Sequence, residues 1–297
     1  MTSDIFDGAR DFLVREGRLL ERRLFATLFQ GAPAAGVVDA LRGFRNPDGG
    51  FGHGLEPDKR CPDSLPVDVQ FAFQTLVAAG PPDAGPLVGD ACDWLASVAA
   101  PGGAVPVALP VMAAHPRAEH LSDWTFVPGL NPTADLAGLL HRMGAGHPWL
   151  ALATGWCWSA LERELPVDAH AMAGVLTFLE HVPDRERAGR VAAGVRERLA
   201  DLAYFQPDPG DPEYGVTPLH FAPEPGSPWR RLFSDDAIEG HLDHLLTGQA
   251  ADGGWALTWR PPSAAATTDY RSVVTVQALR VLTAYGRLTA PTPAMTR

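Results

Sequence analysis

The chain has 297 residues, of which 46% are hydrophobic and 20% charged, and its formal net charge is −11. Enough apolar side chains are present for a buried core, and the acidic balance argues against nucleic acid and anionic membranes as main partners. No apolar run is long enough to span a bilayer. The start M-T-S-D-I-F-D lacks the features of a signal peptide, and three cysteines without paired spacing fit a reducing compartment. We therefore expect a cytoplasmic protein with no integral membrane segment.

Helical periodicity runs along almost the whole chain. Apolar residues recur three and four positions apart from Ile5 to Leu28. The same spacing predicts helices at 33–43, 67–79, 86–99, 133–143, 148–162, 167–181, 184–203, 235–247 and 268–286. The only short strand candidate is V-P-V-A-L-P-V at 105–111, and seven prolines between Gln206 and Phe233 indicate an ordered surface loop. The sequence therefore predicts an all-α protein.

One turn motif occurs twice. R-N-P-D-G-G-F at 45–51 and Q-A-A-D-G-G-W at 249–255 each follow a predicted helix and lead to a second helix rich in small residues. Two weaker units lie between them, one of which contains A-A-P-G-G at 99–103. Paired glycines permit the positive φ at which a helix stops, and the aromatic residue is expected to pack beneath the preceding helix. Repeated helical hairpins of this kind bury one another's faces.

The second copy of this motif, Q-A-A-D-G-G-W at 249–255, resembles the glutamine–tryptophan repeat of squalene and hopene cyclases and of protein prenyltransferase β subunits. N-P-D-G-G-F at 46–51 is similar, with Arg45 and Phe51 in place of Gln and Trp, and N-P-T-A-D-L-A-G-L-L at 131–140 looks like an inner-helix start in that superfamily. The resemblance implies an α/α toroid of five or six hairpins around a central cavity. It implies a single domain over 1–290, followed by a flexible tail at 291–297.

The metal-binding motifs of related enzymes are incomplete. The chain has no Asp-x-Asp-Asp motif of the class II cyclases, and Asp90-Ala-Cys92 spells the zinc-binding pair of prenyltransferases far upstream of its place in that family. Arg271 stands in the region where the family's zinc-binding His is expected. Asp235 and Glu239 spell a diphosphate-binding motif of class I terpene synthases, but these acids also fit a helix N-terminus. We therefore predict no metal or other cofactor, with Mg²⁺ needed only if the substrate is a diphosphate.

Four acidic residues stand at the predicted starts of inner helices. Asp68 and Asp168 share the tetrapeptide L-P-V-D, and Asp135 and Asp269 begin comparable helices. Each fits a simple helix cap. In a toroid, however, such N-termini converge at one mouth of the cavity, where repulsion keeps one carboxyl protonated near neutral pH. That acid could protonate an alkene or a sugar or ether oxygen, with His170 as its hydrogen-bonding partner.

The loop G-H-G-L-E-P-D-K-R at 52–60 is the densest polar stretch, and it follows only the first copy of the turn. We predict that it borders the cavity mouth. Glu56 is the expected acid–base group, supported by Arg60, while His53 and Asp58 join Arg60 in substrate binding. The alternative interpretation is a connector held by salt bridges.

These observations lead to three functional hypotheses. The first is a small terpene-cyclase- or prenyltransferase-like enzyme that acts on a hydrophobic, isoprenoid substrate by carboxylate acid catalysis. Its predicted catalytic residues are Asp68, Asp168, His170, Asp269 and Glu56, and its predicted substrate-binding residues are His53, Asp58, Arg60, Trp156, Trp158 and Arg271. The second hypothesis is a carbohydrate-active toroid enzyme with paired carboxylates. The third is a binding or assembly scaffold without catalysis.

Overall fold

The computed structural model describes residues 2–80, 84–122 and 126–290. Over these ranges the chain forms α-helices joined by loops and short 3₁₀ turns, and its only β-type pairings are isolated bridges. The all-α class is confirmed. The strand candidate at 105–111 forms no strand and runs into a 3₁₀ turn at Pro110–Ala114. The predicted tail at 291–297 lies outside the described residues.

The helices, in chain order, are α1 (Thr2–Glu16), α2 (Leu19–Gln30), α3 (Ala35–Arg42), α4 (Pro66–Ala79), α5 (Gly85–Val98), α6 (Leu130–Met143), α7 (Pro148–Leu161), α8 (Ala169–His181), α9 (Arg185–Ala192), α10 (Val195–Arg198), α11 (Pro218–Phe221), α12 (Asp235–Thr247) and α13 (Ala264–Ala284). Further 3₁₀ turns lie at Glu119–Leu121, Leu199–Asp201 and Pro228–Leu232. Within the described ranges, no helix has both the length and the hydropathy needed to cross a bilayer.

The chain divides into two compact units. The first is formed by residues up to Gly43, the end of α4 and the residues from Gln206 onward, and the second by most of the chain from Phe44 to Phe205. In the first unit, α1 packs on α2 and α13, and α12 packs on α11 and α13. In the second unit, α6 packs mainly against α8 and also contacts α7, while α5 packs on α7.

Two local features shape these units. The segment predicted as one helix from Ile5 to Leu28 is two helices, because Arg18 adopts an extended backbone before α2. In the second unit, Gly138 lets α6 approach the backbone of α8 closely: a Cβ at this position would lie 2.6 Å from the amide nitrogen of Phe178. The buried helix α6 is therefore held tightly against its neighbour.

The repeated turn has the same backbone geometry at both predicted sites. In the first copy, the amide of Asn46 donates to the carbonyl of Gly50 (2.9 Å) and the amide of Gly49 donates to the carbonyl of Asn46 (3.1 Å). The second copy repeats both bonds between Ala250, Gly253 and Gly254, at 2.8 and 2.9 Å. Asp48 and Asp252 each accept the amide of the second glycine, at 2.9 and 3.1 Å.

A third copy of the turn lies after α5. The amide of Ala100 donates to the carbonyl of Ala104, and the amide of Gly103 donates to the carbonyl of Ala100, both at 2.9 Å. Gly103 has φ 94°, as Gly253 does. The aromatic residue of the second copy, Trp255, is 5% exposed and donates from Nε1 to the carbonyl of Leu245 in the preceding helix. The same tight turn therefore occurs three times in the described residues, after α3, α5 and α12.

Candidate functional site

The N-termini of α4, α6 and α8 lie together at one end of the second unit. The segment at 105–107 bonds to both of the first two helix starts: Val107 accepts the amide of Val67 (3.0 Å) and Val105 accepts the amide of Gly129 (3.3 Å). Leu130 at the start of α6 and Val167 before α8 line one groove. Helix N-termini carry partial positive charge and favour nearby carboxylates. This end of the unit is therefore suited to hold acidic side chains.

A buried cluster of three charged side chains occupies this end. Lys59 is completely buried, and its Nζ lies 2.9 Å from Oδ1 of Asp68 and 3.2 Å from Oε2 of Glu56. Oδ1 of Asp68 also accepts the backbone amide of Glu56 at 2.8 Å. These bonds tie the 52–60 loop to the first turn of α4. Two of the predicted catalytic residues, Glu56 and Asp68, are thereby brought together around one ammonium group.

The charges of this cluster do not cancel when both acids are ionised, since two carboxylates surround one ammonium. Burial raises the pKa of Asp68 to about 6, although Lys59 and the Glu56 amide both favour its ionised form. Burial alone would lower the pKa of Lys59, but the charges of Asp68 and Glu56 raise it overall. The cluster therefore keeps its ammonium and places a proton on Asp68 at mildly acidic pH.

The 52–60 loop is folded inward by its backbone. Gly54, at φ 67°, donates to the carbonyl of Cys61 (3.2 Å), and the amide of Arg60 donates to the carbonyl of Pro116 (2.8 Å). His53 is exposed, at φ 57°, and its Nε2 lies 2.9 Å from Oδ1 of Asn46. The loop thus buries most of its acidic and basic groups, while His53 stays at the surface.

Histidine and aspartate pairs extend the polar region beyond the buried cluster. Nε2 of His120 lies 3.4 Å from Oδ2 of the buried Asp58. Burial lowers the pKa of His120, the charge of Glu56 opposes this change, and the charge of His170 adds to it. His170 in turn lies 3.5 Å from Asp168, measured from Nδ1 to Oδ1. His120 therefore contacts Asp58 and feels the charges of Glu56 and His170, while His170 contacts Asp168.

The two L-P-V-D tetrapeptides adopt different structures. Asp68 lies inside α4 and is fully buried, whereas Asp168 is the N-cap of α8 and accepts the amide of Ala171 at 3.0 Å. The difference arises because Ala203 pairs with the residues around Asp168 and holds them extended. Burial opposes the ionisation of Asp168, but bonds from His170 and the Ala171 amide lower its pKa overall. Asp168 is therefore an ionised cap.

Asp135 is a further buried acid in this unit. Its Oδ2 accepts hydrogen bonds from Nε2 of Gln70 (2.8 Å) and Nε2 of Gln74 (2.7 Å), which lie on one face of α4. Burial raises the pKa of Asp135, and the two amide hydrogen bonds reduce that rise. Hydrogen bonds from two neutral amide side chains of α4 to Asp135 therefore connect α6 to α4.

An open groove lies beside Asp168. Its volume is about 510 Å³. The lining side chains are mainly apolar: Leu130, Trp156, Ala160, Leu165, Pro166 and Val167, with Arg163 and Glu164. Trp156, a predicted substrate-binding residue, is part of this lining. Trp158 is instead buried, with its ring 4.8 Å from that of Phe178 and with Arg187 over its face.

The remaining predicted residues lie on α13 in the first unit. Asp269 is in the second turn of this helix rather than at its start, because the helix begins at Ala264 behind an N-cap at Ser263. Arg271 binds both carboxylate oxygens of Asp252, at 2.8 and 2.7 Å, and donates to the carbonyl of Trp255. Its guanidinium therefore stabilises the second copy of the turn.

The predicted diphosphate motif forms an ordinary helix start. Ser234 caps α12 by accepting the amide of Ala237 at 3.2 Å. Asp235 pairs with Arg230, and Glu239 pairs with Arg287. The helix-start interpretation of these acids is confirmed.

Lys59 is the member of the buried cluster that the sequence did not predict. It is the only lysine among 24 lysine and arginine residues in the chain. Arginine cannot be deprotonated in proteins, whereas lysine is a compact point charge on a flexible stem. A single lysine in an arginine-rich chain, set between two acids in sequence, was a usable signal. His120 offered no comparable signal, because only the folded chain brings it to Asp58.

Comparison with family models gives no match for this chain, and comparison with curated proteins gives no significant relative.

Proposed function

We propose that this protein is an enzyme that works by carboxylate acid catalysis on a hydrophobic, isoprenoid-like substrate, with Asp68 as the proton donor. The proposal includes the finer architecture that the repeat resembles, an α/α toroid of the terpene-cyclase and prenyltransferase type. The observation that carries it is the state of Asp68: a fully buried acid with a pKa of about 6.

The two oxygens of Asp68 have different surroundings. Oδ1 accepts hydrogen bonds from Lys59 and from the Glu56 amide, whereas Oδ2 is buried without a hydrogen-bond partner. An ionised Oδ2 in that position is costly. When Asp68 is protonated, below a pH of about 6, its proton therefore resides on Oδ2, which leaves Oδ1 to accept from the ammonium. In this proposal Oδ2 is the oxygen from which Asp68 donates its proton, while Oδ1 stays bonded to Lys59.

The chemical step is the protonation of a carbon–carbon double bond. The proton of Asp68 moves to one alkene carbon, the π electrons form the new C–H bond, and the neighbouring carbon becomes cationic. Lys59 stabilises the carboxylate that remains, and Glu56 holds Lys59 in place. Loss of a proton from a carbon next to the cation, back to the carboxylate, completes an isomerisation or cyclisation with no net proton consumed.

The groove lined by Trp156 supports a hydrophobic substrate. Its lining is mainly apolar, it adjoins the start of α8, and an aromatic ring near a developing carbocation lowers that cation's energy. In this proposal Trp156 contacts the substrate, and the ionised Asp168 contributes negative charge at the same end of the unit.

The carbohydrate hypothesis is less well supported. Glu56 and Asp68 both contact Nζ of Lys59, so their carboxylates lie within about 6 Å of each other, near the spacing of retaining glycosidases. Both acids are buried, however, and a lysine lies between them. A glycosidase needs its carboxylates on either side of an accessible sugar, which this arrangement does not provide.

The decisive experiment compares Asp68→Asn with Asp168→Asn. Each purified variant is incubated with linear polyprenyl diphosphates and with squalene, and products are identified by gas chromatography and mass spectrometry. Asp68→Asn removes the transferable proton while its amide oxygen can still accept from Lys59, so turnover should fall by at least about 100-fold. Asp168→Asn is the matched control, because Asn caps a helix as well as Asp does. It should keep most of the activity.

Two results would overturn the proposal. One is turnover in Asp68→Asn equal to that of the wild type. The other is the absence of any product from the isoprenoid panel together with no binding of those substrates by calorimetry, which favours the scaffold hypothesis. Circular dichroism of each variant confirms that the fold is retained.

A further inference from the structure

A second group of reactive side chains lies beyond the Lys59 cluster, where two loop segments run antiparallel. Lys59 pairs with Arg117 in an isolated antiparallel bridge, and the amide of Ala118 donates to the carbonyl of Asp58 at 2.7 Å. Continued by two residues, this register places Cys61 opposite His115. Side chains at directly opposite positions project from the same face. The pairing therefore brings a thiol and an imidazole together.

Asp63 completes the group. Its Oδ2 lies 3.8 Å from Sγ of Cys61 and 3.6 Å from Nε2 of His115, and the three ligand atoms all lie within 4.8 Å of one another. Typical Zn–S, Zn–N and Zn–O bonds in a tetrahedron separate the ligand atoms by roughly 3.3 to 3.6 Å. The distance from Oδ2 of Asp63 to Sγ of Cys61 and the distance from Oδ2 to Nε2 of His115 are both within a few tenths of an ångström of this range. Small side-chain adjustments would bring all three atoms to bonding distance from one ion.

The surroundings of the three side chains differ in a way that suits a metal centre. Cys61 is buried in an apolar cluster with Leu65 and Met112. The side chain of His115 is 27% exposed and that of Asp63 is 52% exposed. One side of the group is therefore dry and the other faces solvent. An ion held here would have three protein ligands and a fourth position open to water or a small molecule.

We propose that Cys61, Asp63 and His115 form a zinc site with one open coordination position. The donor set selects the metal: thiolate and imidazole are typical zinc ligands, whereas Mg²⁺ and Ca²⁺ are bound by oxygen ligands. The site is separate from the proton donation assigned to Asp68, and its test does not depend on the activity of the protein.

The test measures metal binding directly on the full-length, tag-free chain. The protein is treated with a chelator, dialysed and titrated with Zn²⁺ by calorimetry, and bound zinc is counted by elemental analysis. We expect one zinc per chain. Replacement by Co²⁺ should give the near-ultraviolet charge-transfer absorption of a cobalt–thiolate bond and the visible bands of tetrahedral cobalt.

Single substitutions assign the ligands. Asp63→Asn and His115→Gln change side chains that reach the surface, so the fold should persist, and each should weaken zinc binding by at least about tenfold. Cys61→Ala should abolish the cobalt–thiolate absorption. Cys92→Ala is the matched control, because Cys92 is also a buried free thiol but belongs to no such group within the described ranges, and it should leave both signals unchanged.

The proposal is overturned if the wild type binds less than one zinc per chain, or if bound cobalt shows no thiolate absorption. It is also overturned if Asp63→Asn and His115→Gln bind zinc as tightly as the wild type. Any of these results would mean that Cys61 is only a core thiol beside a surface Asp–His contact.

Discussion

Lys59 is the side chain on which the buried cluster depends. It lies between Asp68 and Glu56, and its side chain has no solvent exposure. Removing one member of a buried ion pair is costly, because the remaining charges lose their partner and stay away from water. In this cluster the loss would leave two carboxylates facing each other. The ammonium therefore stabilises both the loop and the first turn of α4.

We expect Lys59→Met to lower the free energy of unfolding by about 3–5 kcal/mol at pH 7, measured by urea denaturation. The loss should be smaller at pH 5, where Asp68 takes up a proton and relieves the repulsion. Arg190→Met is the matched control. It breaks the exposed pair between Arg190 and Glu186, which is worth less than about 1 kcal/mol. A loss in Lys59→Met no larger than in the control would show that the cluster contributes little to stability.

The repeated turn is the element that recurs most faithfully in the molecule. Gly253 has φ 94°, and a Cβ at this position would lie 2.1 Å from the carbonyl oxygen of Gly8 in α1. Two separate constraints therefore require glycine here: the backbone conformation and the close approach of another helix. Gly144 at the end of α6 has φ 65°, but no atom lies within 4 Å of its hypothetical Cβ.

These two glycines allow the constraints to be separated. Gly144→Ala should lower the free energy of unfolding by about 1–2 kcal/mol, the cost of a left-handed conformation for an L-residue. Gly253→Ala should cost several kcal/mol more, because α1 must move away from the turn. Chemical denaturation of both variants measures the difference. Equal losses would mean that α1 accommodates the added methyl group without strain.

The sequence predicted most of the helices and the repeated turn because their signals are local, but the single helices predicted at 5–28 and 184–203 are each divided in the structure. Paired glycines, the acidic start of α12 and the apolar spacing each act within a few residues, and each is seen in the structure. The two L-P-V-D segments could not be told apart in this way. Asp68 is buried by Lys59 and Asp168 is held as a cap by its pairing with Ala203, and both contacts come from other segments of the chain. The sequence therefore identified acidic residues as candidates for the site. It could not predict which side chains contact them, because those contacts form only in the folded chain.

The free energy of unfolding of the whole molecule should depend on pH in two opposite ways, one set by Asp68 and the other by Asp252. The pKa of Asp68 is raised from 3.8 to about 6, so the folded chain holds this proton more tightly than the unfolded chain. The contribution of Asp68 to the free energy of unfolding is fully present below about pH 4 and is lost as the pH rises through 6. Hydrogen bonds from Arg271 lower the pKa of Asp252 to about 2. That contribution is present above about pH 4 and is lost as the pH falls through 2.

Urea denaturation of the wild type and of two variants across this pH range should separate the two contributions. The free energy of unfolding of the wild type minus that of Asp68→Asn should fall between about pH 4 and pH 6. The corresponding difference for Asp252→Asn should rise between about pH 2 and pH 4. A difference for Asp68→Asn that stays constant or rises would mean that burial does not hold a proton on Asp68.

The burial of Lys59 also fixes how the chain responds to amine-directed chemistry. Because Lys59 is the only lysine and is fully enclosed, acylating reagents and lysine-modifying enzymes find no side-chain target on the folded protein. Opening of the loop exposes one primary amine per molecule. Each acylated Lys59 therefore marks one molecule in which the loop has opened. The rate of acylation under native conditions reports how often this part of the chain unfolds.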